Sequence, residues 1–213
     1  MPKQLRAGVI GAGFIARVHV RAIRDSGHLV VGIASSSADS AAKAADELNI
    51  PAHFETWQAL VASKDVDVIH VCTPNELHAE ISIAAAQAGK HVVCEKPISV
   101  TLEEAVDIQA EVTSAGVGFA IPFAYRFYPV VREIRARLQS GNAGQIHLMH
   151  GAYLQDWLAS PSSSNWRVDS VTGGKSRAFA DIGTHWCDLM EFISGDRITS
   201  LVAKTSTAYE TRG

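Results

Sequence analysis

The chain has 213 residues, of which 47% are hydrophobic and 19% are charged, and its formal net charge is −3. This composition is typical of a globular protein with a sizeable core, in one large domain or two modest ones. The near-balanced charge and the lack of a basic run exclude nucleic acid as an expected partner. No apolar run is long enough to span a bilayer and no signal peptide precedes the first strand, so we expect a cytoplasmic protein without membrane contact.

The three cysteines, Cys72, Cys94 and Cys187, lie at unrelated spacings in apolar surroundings. An odd number without close pairs predicts neither a disulfide framework nor a zinc site, so we expect buried free thiols in a reducing compartment. No metal is therefore expected as a cofactor.

Residues 5–16 combine a buried strand, a glycine-rich turn and the start of a helix. Gly11 lets the chain turn tightly, Gly13 leaves room for a pyrophosphate, and Ala16 lets the helix pack closely on the strand. The helix N-terminus then presents backbone N–H groups and a partial positive charge to the phosphates. A plain tight turn is the alternative, but the flanking strand and amphipathic helix favour dinucleotide binding.

Strand and helix patterns alternate through the first half of the chain. Further strands are predicted at residues 29–34, 66–72, 91–94 and 117–121, with helices near 39–48 and at 56–62, 76–88 and 101–115. Alternation of this kind predicts an α/β domain, a doubly wound parallel sheet covered on both faces, over residues 1–122.

The second half changes in character, with a loop rich in Ser, Pro and Asn at residues 155–172. Helices are predicted at residues 130–139 and 181–194, and strands at 146–154 and 198–208. Residues 123–213 are therefore expected to form a smaller α+β domain with a mainly antiparallel sheet.

Ser35, Ser36 and Ser37 follow the second strand, where NAD-binding chains usually carry an acidic residue. The missing carboxylate removes the repulsion against a 2′-phosphate, and hydroxyl groups can hydrogen-bond one. This favours NADP modestly over NAD. The alternative is that Ser35 serves NAD through neutral hydrogen bonds.

Two further segments follow the carboxyl ends of strands, where sheets of this type bind ligands. In Thr73-Pro74-Asn75, Asn75 is either a ligand contact or a helix N-cap, and the nearby His78 is either a site residue or an exposed surface histidine. In Glu95-Lys96-Pro97, Lys96 either orients a substrate hydroxyl beside the nicotinamide or is a surface lysine paired with Glu95. The Lys96–Pro97 bond is a candidate cis peptide.

Asp181 and His185 lie four residues apart at the start of a predicted helix, so they share one helix face. A carboxylate in that position orients an imidazole and makes it a competent base near neutral pH. Alternatively, Asp181 is the helix cap and His185 a core histidine. A metal site is a weaker alternative, because no further ligands stand nearby at metal spacing.

Taken in order, these segments resemble the Gfo/Idh/MocA family of NAD(P)-dependent sugar and inositol oxidoreductases over residues 5 to about 207. The matching segments are Gly11-Ala12-Gly13-Phe14-Ile15-Ala16, Thr73-Pro74-Asn75 with His78, Glu95-Lys96-Pro97, Tyr125-Arg126, Trp166-Arg167, Gly173-Gly174 and Asp181-Ile182-Gly183-Thr184-His185.

The resemblance implies a dehydrogenase in which Lys96 orients the hydroxyl, His185 is the general base and Asp181 is its partner or a substrate ligand. It places Tyr125, Arg126, Trp166 and Arg167 on the substrate and nicotinamide side. The implied cofactor-binding residues are Gly11, Gly13, Phe14, Ile15, Ser35, Ser36, Thr73, Pro74, Asn75, His78, Glu95, Lys96, Trp166 and Arg167.

The resemblance also implies a homo-oligomer and a longer chain. Family members usually have a large open sheet in the second domain, whereas this chain ends soon after an early strand of it, so we expect a fragment or a naturally truncated product. Two other functions stay open. Some relatives cleave glycosidic bonds through transient oxidation and elimination with tightly held NAD, and a non-catalytic nucleotide-binding protein is the third possibility.

Overall fold

The structure is a computed structural model that describes residues 3–169 and 171–212. The chain divides into two compact units, the first ending at Pro122 and the second beginning at Phe123. None of the helices within the described ranges is long and apolar enough to cross a membrane.

The first unit is built on a six-stranded sheet. Its strands are β1 Arg6–Ile10, β2 Leu29–Ala34, β3 His53–Phe54, β4 Val68–Val71, β5 His91–Cys94 and β6 Phe119–Ala120. They lie in the order β3-β2-β1-β4-β5-β6, and every described pairing is parallel. This is the strand order of a doubly wound dinucleotide-binding sheet, which confirms the predicted fold class. The order reverses between β1 and β4, so ligands are expected outside the carboxyl ends of these strands.

Five helices connect the strands, and their ends follow local sequence signals. They are α1 Phe14–Asp25, α2 Ala38–Leu48, α3 Trp57–Ala62, α4 His78–Gln87 and α5 Leu102–Ala115. Thr56 caps α3, and the side chains and backbones of Thr101 and Glu104 form a capping box at the start of α5. Gly89 has a φ of +70° just after α4, which is the left-handed conformation that glycine adopts most easily.

The core of the first unit has two apolar clusters. To one of them α1 and α2 contribute Ala16, Val20, Ile23, Ala44 and Ala45. To the other α3 and α4 contribute Leu60, Val61, Ile81 and Ala85. Cys72 and Cys94 belong to these clusters as free thiols, and burial raises the pKa of Cys94 to about 12. Cys187, in the second unit, is also free but only half-buried, where full burial was expected.

The second unit contains two α-helices in its described part. Helix α6 spans Pro129–Gln139, with the proline at its first position as predicted, and α7 spans Thr184–Ser194. A π-helical turn, Phe179–Gly183, leads into α7, and Gly195 ends it with a φ of +84°. Short 3₁₀ turns occur at Ala124–Phe127 and Trp166–Val168.

The prediction of strands at residues 146–154 and 198–208 is wrong, because neither segment forms a strand in the structure. The predicted antiparallel sheet is therefore not formed by the described residues of the second unit. Alternation of apolar residues is necessary but not sufficient, since a strand also needs a neighbour for its N–H and C=O groups. Here the apolar side chains are uncovered: Leu148 is 80% exposed and Leu201 is 74% exposed.

Candidate functional site

The glycine turn after β1 has the geometry that a bound dinucleotide requires. Gly11 has a φ of +114°, and a Cβ there would lie 2.4 Å from the carbonyl oxygen of Cys72. Gly13 precedes α1 without a side-chain cap, and nothing lies within 4 Å of the position that its Cβ would take. The N-terminus of α1 is thus open for a phosphate group. Next to it, Phe14 is 81% exposed.

The serines after β2 differ in their surroundings. The Oγ atoms of Ser35 and Ser40 lie 3.0 Å apart in a hydrogen bond. The Ser37 hydroxyl accepts from the backbone N–H of Ser40 and so caps α2. Ser36 and Ser37 are both exposed, and since Ser37 caps α2, Ser36 is the candidate of this segment for contact with a ribose or a 2′-phosphate.

In the segment after β4, the structure excludes one of the two roles predicted for Asn75 and one of the two predicted for His78. Asn75 lies within a 3₁₀ turn, Asn75–Leu77, and α4 begins only at His78, so Asn75 is not the N-cap of that helix. His78 is 1% exposed and is therefore not a surface histidine. Its ring nitrogens lie 2.6 Å from the carbonyl oxygen of Pro97 and 3.0 Å from that of Thr73. The ring thus faces backbone atoms of the protein.

The segment after β5 holds Lys96 beside a buried acid. One carboxylate oxygen of Glu95 lies 3.0 Å from Nε2 of His19, and the other accepts a hydrogen bond of 3.2 Å from the backbone N–H of Lys96. Lys96 is half-buried, and the Lys96–Pro97 peptide bond is cis, as the sequence indicates. His19 belongs to none of the sequence motifs, although it lies on the helix that follows the glycine turn.

In the second unit, His185 lies among aromatic rings. The centroid distances from its ring are 5.8 Å to Phe123, 4.9 Å to Tyr125 and 6.1 Å to Tyr153. The hydroxyl groups of Tyr125 and Tyr153 lie 2.5 Å apart, and this hydrogen bond raises the pKa of Tyr125 to about 12. Tyr125 therefore stays protonated at neutral pH. No sequence spacing links Phe123 or Tyr153 to His185.

Arg126, predicted on the substrate side, is held by an acid of α7. Its Nε donates a 2.8 Å hydrogen bond to Asp188, and its Nη2 donates to the other carboxylate oxygen. The guanidinium also lies 5.2 Å from the ring centroid of Phe192. Arg126 and Asp188 are 62 residues apart, so no local spacing in the sequence indicates this pair.

Asp181 lies in the π-helical turn rather than in a regular α-helix, which changes the four-residue spacing expected for it and His185. Its carboxylate accepts a 3.1 Å hydrogen bond from Nε of Arg167. The Arg167 guanidinium stacks over Trp166 at 4.3 Å and lies 5.7 Å from the Trp157 ring centroid.

Arg167 and Asp181 line a cavity of about 620 Å³ within the second unit. Other lining residues are Trp157, Asn165, Tyr209 and Arg212. Most of the lining residues are polar or charged, and Trp157 and Tyr209 are the aromatic ones. Within the described ranges, no three His, Cys, Asp or Glu side chains form a group that could hold a metal ion.

The predicted residues thus form two groups, one in each unit. The glycine turn, the β4 and β5 segments and Lys96 belong to the first unit. Tyr125, Arg126, Arg167, Asp181 and His185 belong to the second. The missed residues are His19 in the first group and Phe123, Tyr153 and Asp188 in the second.

Comparison with known proteins identifies the origin of this arrangement. Residues 5–123, more than half of the chain, match the GFO_IDH_MocA family, described as an oxidoreductase family with an NAD-binding Rossmann fold. The chain belongs to the Gfo/Idh/MocA family. The C-terminal domain of this family matches residues 131–213. Both findings confirm the resemblance carried by the ordered motifs.

Several Gfo/Idh/MocA relatives are similar over most of the chain. Levoglucosan dehydrogenase of Pseudarthrobacter phenanthrenivorans is 35% identical over 204 residues, which are 91% of this chain and 52% of the relative. The 1,5-anhydro-D-fructose reductase of Ensifer adhaerens is 35% identical over 207 residues, 95% of this chain and 60% of the relative. The solved complex of levoglucosan dehydrogenase with NADH and levoglucosan has a TM-score of 0.87 at 34% identity, covering 91% of this chain and 55% of that one. The chain therefore spans between half and two thirds of the length of these relatives.

Proposed function

We propose that this protein is an NAD(P)-dependent dehydrogenase that transfers a hydride between nicotinamide and a secondary alcohol carbon of a sugar, inositol or related polyol. The observation that carries the proposal is the shared edge of one parallel sheet. The open glycine turn follows β1 and Lys96 follows β5, so the proposed pyrophosphate-binding turn and the proposed hydroxyl-orienting lysine both follow carboxyl ends of strands in the same sheet. The names of the family relatives support the substrate class.

The first unit would hold the cofactor, which supplies the hydride acceptor when bound. The backbone N–H groups at the start of α1 fit the pyrophosphate, because Gly13 leaves that end open. The Thr73 hydroxyl, buried at the end of β4 without a hydrogen-bond partner among the described residues, is a further candidate contact. Phe14, Ile15, Pro74, Asn75, Trp166 and Arg167 stay proposed cofactor contacts. Because His78 is buried, we propose that it holds together the two segments that its ring contacts, rather than contacting the cofactor itself.

The proton of the substrate hydroxyl would go to His185, with Lys96 orienting the alcohol. Loss of that proton and of the hydride from the same carbon converts the alcohol to a ketone. Tyr125 is a poor alternative base, since its pKa is raised to about 12. The aromatic rings around His185 limit how far its imidazole can turn, which favours a fixed direction for proton transfer.

The cavity of the second unit is lined by Asp181 but not by His185 or Tyr125, and its mainly polar lining is proposed to suit an uncharged, hydroxyl-rich ligand. Its charged side chains include both signs, and the Arg167 guanidinium is paired with Asp181. Trp157 offers an apolar ring face of the kind that stacks on C–H groups. Tyr125, also on the proposed substrate side, adds a hydroxyl. Arg126 is proposed to hold α7 through Asp188 rather than to contact the substrate.

For the cofactor we propose a preference for NADP(H) over NAD(H). The end of β2 carries serines and no carboxylate, and Ser36 is exposed there. The levoglucosan dehydrogenase complex contains NADH, so the relatives do not decide this point. Calorimetric titration with both reduced cofactors tests it: tighter NADH binding would show that the serines serve the ribose of NAD.

The activity is tested by following nicotinamide absorbance with a panel of sugars and polyols. We expect K96A and H185A each to lower kcat by about 10²- to 10⁴-fold. K64A and H150A, which alter exposed residues of the same types, serve as controls and should leave kcat unchanged. Full activity in the K96A/H185A double variant would refute the assignment.

Two other outcomes would also refute it. Release of a sugar from a glycoside without accumulation of reduced cofactor would favour oxidation and elimination. Tight cofactor binding without turnover of any sugar or polyol would favour a non-catalytic nucleotide-binding protein.

We also propose that the protein is a homo-oligomer and that it is located in the cytoplasm. Light scattering tests the first proposal and cell fractionation tests the second.

A further inference from the structure

Two buried histidines contact the residues on either side of Lys96. His19, on α1, is 6% exposed, and His78, the first residue of α4, is 1% exposed. Neither belongs to the glycine turn. Both come from helices, whereas the segment that they contact follows strand β5. They therefore join separate parts of the first unit at the position of Lys96.

His19 holds the residue before Lys96. Its Nε2 lies 3.0 Å from a carboxylate oxygen of Glu95, which can only accept, so Nε2 carries a hydrogen in either charge state of the ring. Its Nδ1 lies 2.9 Å from Nδ1 of His70, and a single hydrogen must be shared by that contact. Burial lowers the pKa of His70 to about 3, so the His70 ring is neutral. His19 therefore donates a hydrogen bond from Nε2 to the Glu95 carboxylate.

Glu95 connects His19 to the backbone of Lys96. Burial alone would raise the pKa of Glu95, but the hydrogen bond and charge of His19 and the Lys96 amide bring it below its usual value. The carboxylate is therefore ionised at neutral pH. Its second oxygen accepts from the backbone N–H of Lys96 at 3.2 Å. The orientation of the Lys96 backbone thus depends on a carboxylate that His19 fixes.

His78 holds the residue after Lys96. Its Nδ1 lies 2.6 Å from the Pro97 carbonyl oxygen, and its Nε2 lies 3.0 Å from that of Thr73. Burial lowers the pKa of His78, although both carbonyl groups oppose the shift. A neutral ring donates only one of these bonds, and the shorter distance assigns the hydrogen to Nδ1, facing Pro97.

We propose that His19 and His78 are positioning residues for Lys96: they fix Glu95 and Pro97, its two neighbours, and so set the direction in which its side chain leaves the sheet edge. His19 belongs to the same helix whose N-terminus is proposed to bind the pyrophosphate. The cofactor helix and Lys96 are therefore held in one hydrogen-bonded unit. The catalytic consequence rests on the proposed function, whereas the positioning itself does not.

Matched amide variants test the role of His19. In H19Q the longer side chain places its N–H near the position of Nε2 and keeps the donor to Glu95. In H19N the shorter side chain keeps only the contact towards His70. We expect faster hydrogen exchange of the Lys96 backbone amide in H19N than in H19Q, measured by NMR on the full chain. We also expect kcat to fall about 10- to 100-fold in H19N with KM unchanged, and H19Q to restore most of it.

The reverse pair tests His78 independently. H78N keeps a donor facing Pro97, and H78Q keeps one facing Thr73, so H78N should retain the exchange rate of the Lys96 amide and kcat while H78Q should lose both. Equal amide exchange and equal kcat within each pair would overturn the proposal and leave both histidines as core residues. If the unaltered chain oxidises no sugar or polyol, the proposed function fails, yet amide exchange still decides whether the histidines hold the segment.

Discussion

In the first unit Leu60, Ile69 and Ile81 have no exposed surface, whereas in the second unit Leu201 is 74% exposed and Val202 is fully exposed. All these residues are of the apolar kind that sequence patterns assign to a core. The difference is that each strand of the first unit has a neighbour and each apolar face has a helix against it. The two units therefore differ in whether their apolar segments have a neighbouring strand or helix to pack against, rather than in having apolar segments.

The second unit depends more on specific polar and aromatic contacts. Its buried apolar residues, among those that the structure describes, are Val131, Ala180 and Ile193. The pair Arg126–Asp188 and the rings around His185 hold it together instead. Such contacts are directional, so they fix side-chain geometry with little apolar burial. We expect substitutions to cost stability mainly in the first unit.

The largest effect should come from the glycine turn. In G11A the new Cβ would meet the Cys72 carbonyl at 2.4 Å with the backbone at a φ of +114°. Strain and overpacking together should lower the free energy of unfolding by about 2 to 6 kcal/mol. Chemical denaturation of the purified variant measures this.

G13A is the matched control for that variant. Because nothing lies within 4 Å of its Cβ position, it should fold as the unaltered chain does but bind NAD(H) and NADP(H) more weakly. A G11A protein of unchanged stability would contradict the close approach of β1 and Cys72. Unchanged cofactor binding in G13A would contradict the proposed pyrophosphate position.

A leucine in each unit gives the most direct comparison of the two. L60A removes a side chain with no exposed surface, and it should destabilise the protein by about 2 to 5 kcal/mol. L201A removes one that is 74% exposed, and its effect should stay within about 0.5 kcal/mol. Thermal and urea unfolding of both variants would measure the difference. A large loss in L201A would show that residues 198–202 are covered in solution.

The smallest effect concerns an ion pair at the start of β1. Arg6 donates to Asp67 through its backbone N–H and its side chain, and the side-chain hydrogen bond holds the pKa of Asp67 well below its usual 3.8. A carboxyl group whose pKa is lowered by folding stabilises the protein above its unfolded pKa and loses this effect as the pH falls. D67N should therefore cost about 1 to 3 kcal/mol at neutral pH.

The difference between D67N and the unaltered chain should shrink as the pH falls below about 4. D65N is the control, since Asp65 pairs with the same arginine but is 86% exposed, and it should cost under about 1 kcal/mol. A cost in D67N that persists in acid would mean that the carboxylate charge does not carry the interaction.

The sequence predicted the first unit well because its signals are local. The bounds of β2 and β5 match the predictions, and the capping box and Gly116 delimit α5. The doubly wound parallel sheet also followed from the alternation of strands and helices, but the two-residue strand β3 was not predicted. The strands at residues 146–154 and 198–208 failed because pairing is a property of two segments, and periodicity reports on only one.

The candidate site also combines residues that belong to local motifs with contacts between residues far apart in the sequence. Gly11, Gly13 and Lys96 could be proposed from the sequence because each belongs to a short motif with a physical reason for its spacing. His19 and Glu95 are 76 residues apart, and Arg126 and Asp188 are 62 apart. Contacts at such separations leave no trace in local spacing. The burial of His78 was missed for the same reason, because the carbonyl groups around it come from two different loops.

The three free thiols give the chain a built-in means of selective labelling. The thiolate is the form that reacts with maleimides and iodoacetamides, and burial keeps Cys72 and Cys94 protonated and out of reach. Burial raises the pKa of Cys187 too, but this residue is only half-buried on α7, two residues beyond His185, so it is the most accessible of the three thiols. A fluorophore attached to the native chain would therefore report from the helix of the proposed catalytic base, without removal of any other cysteine.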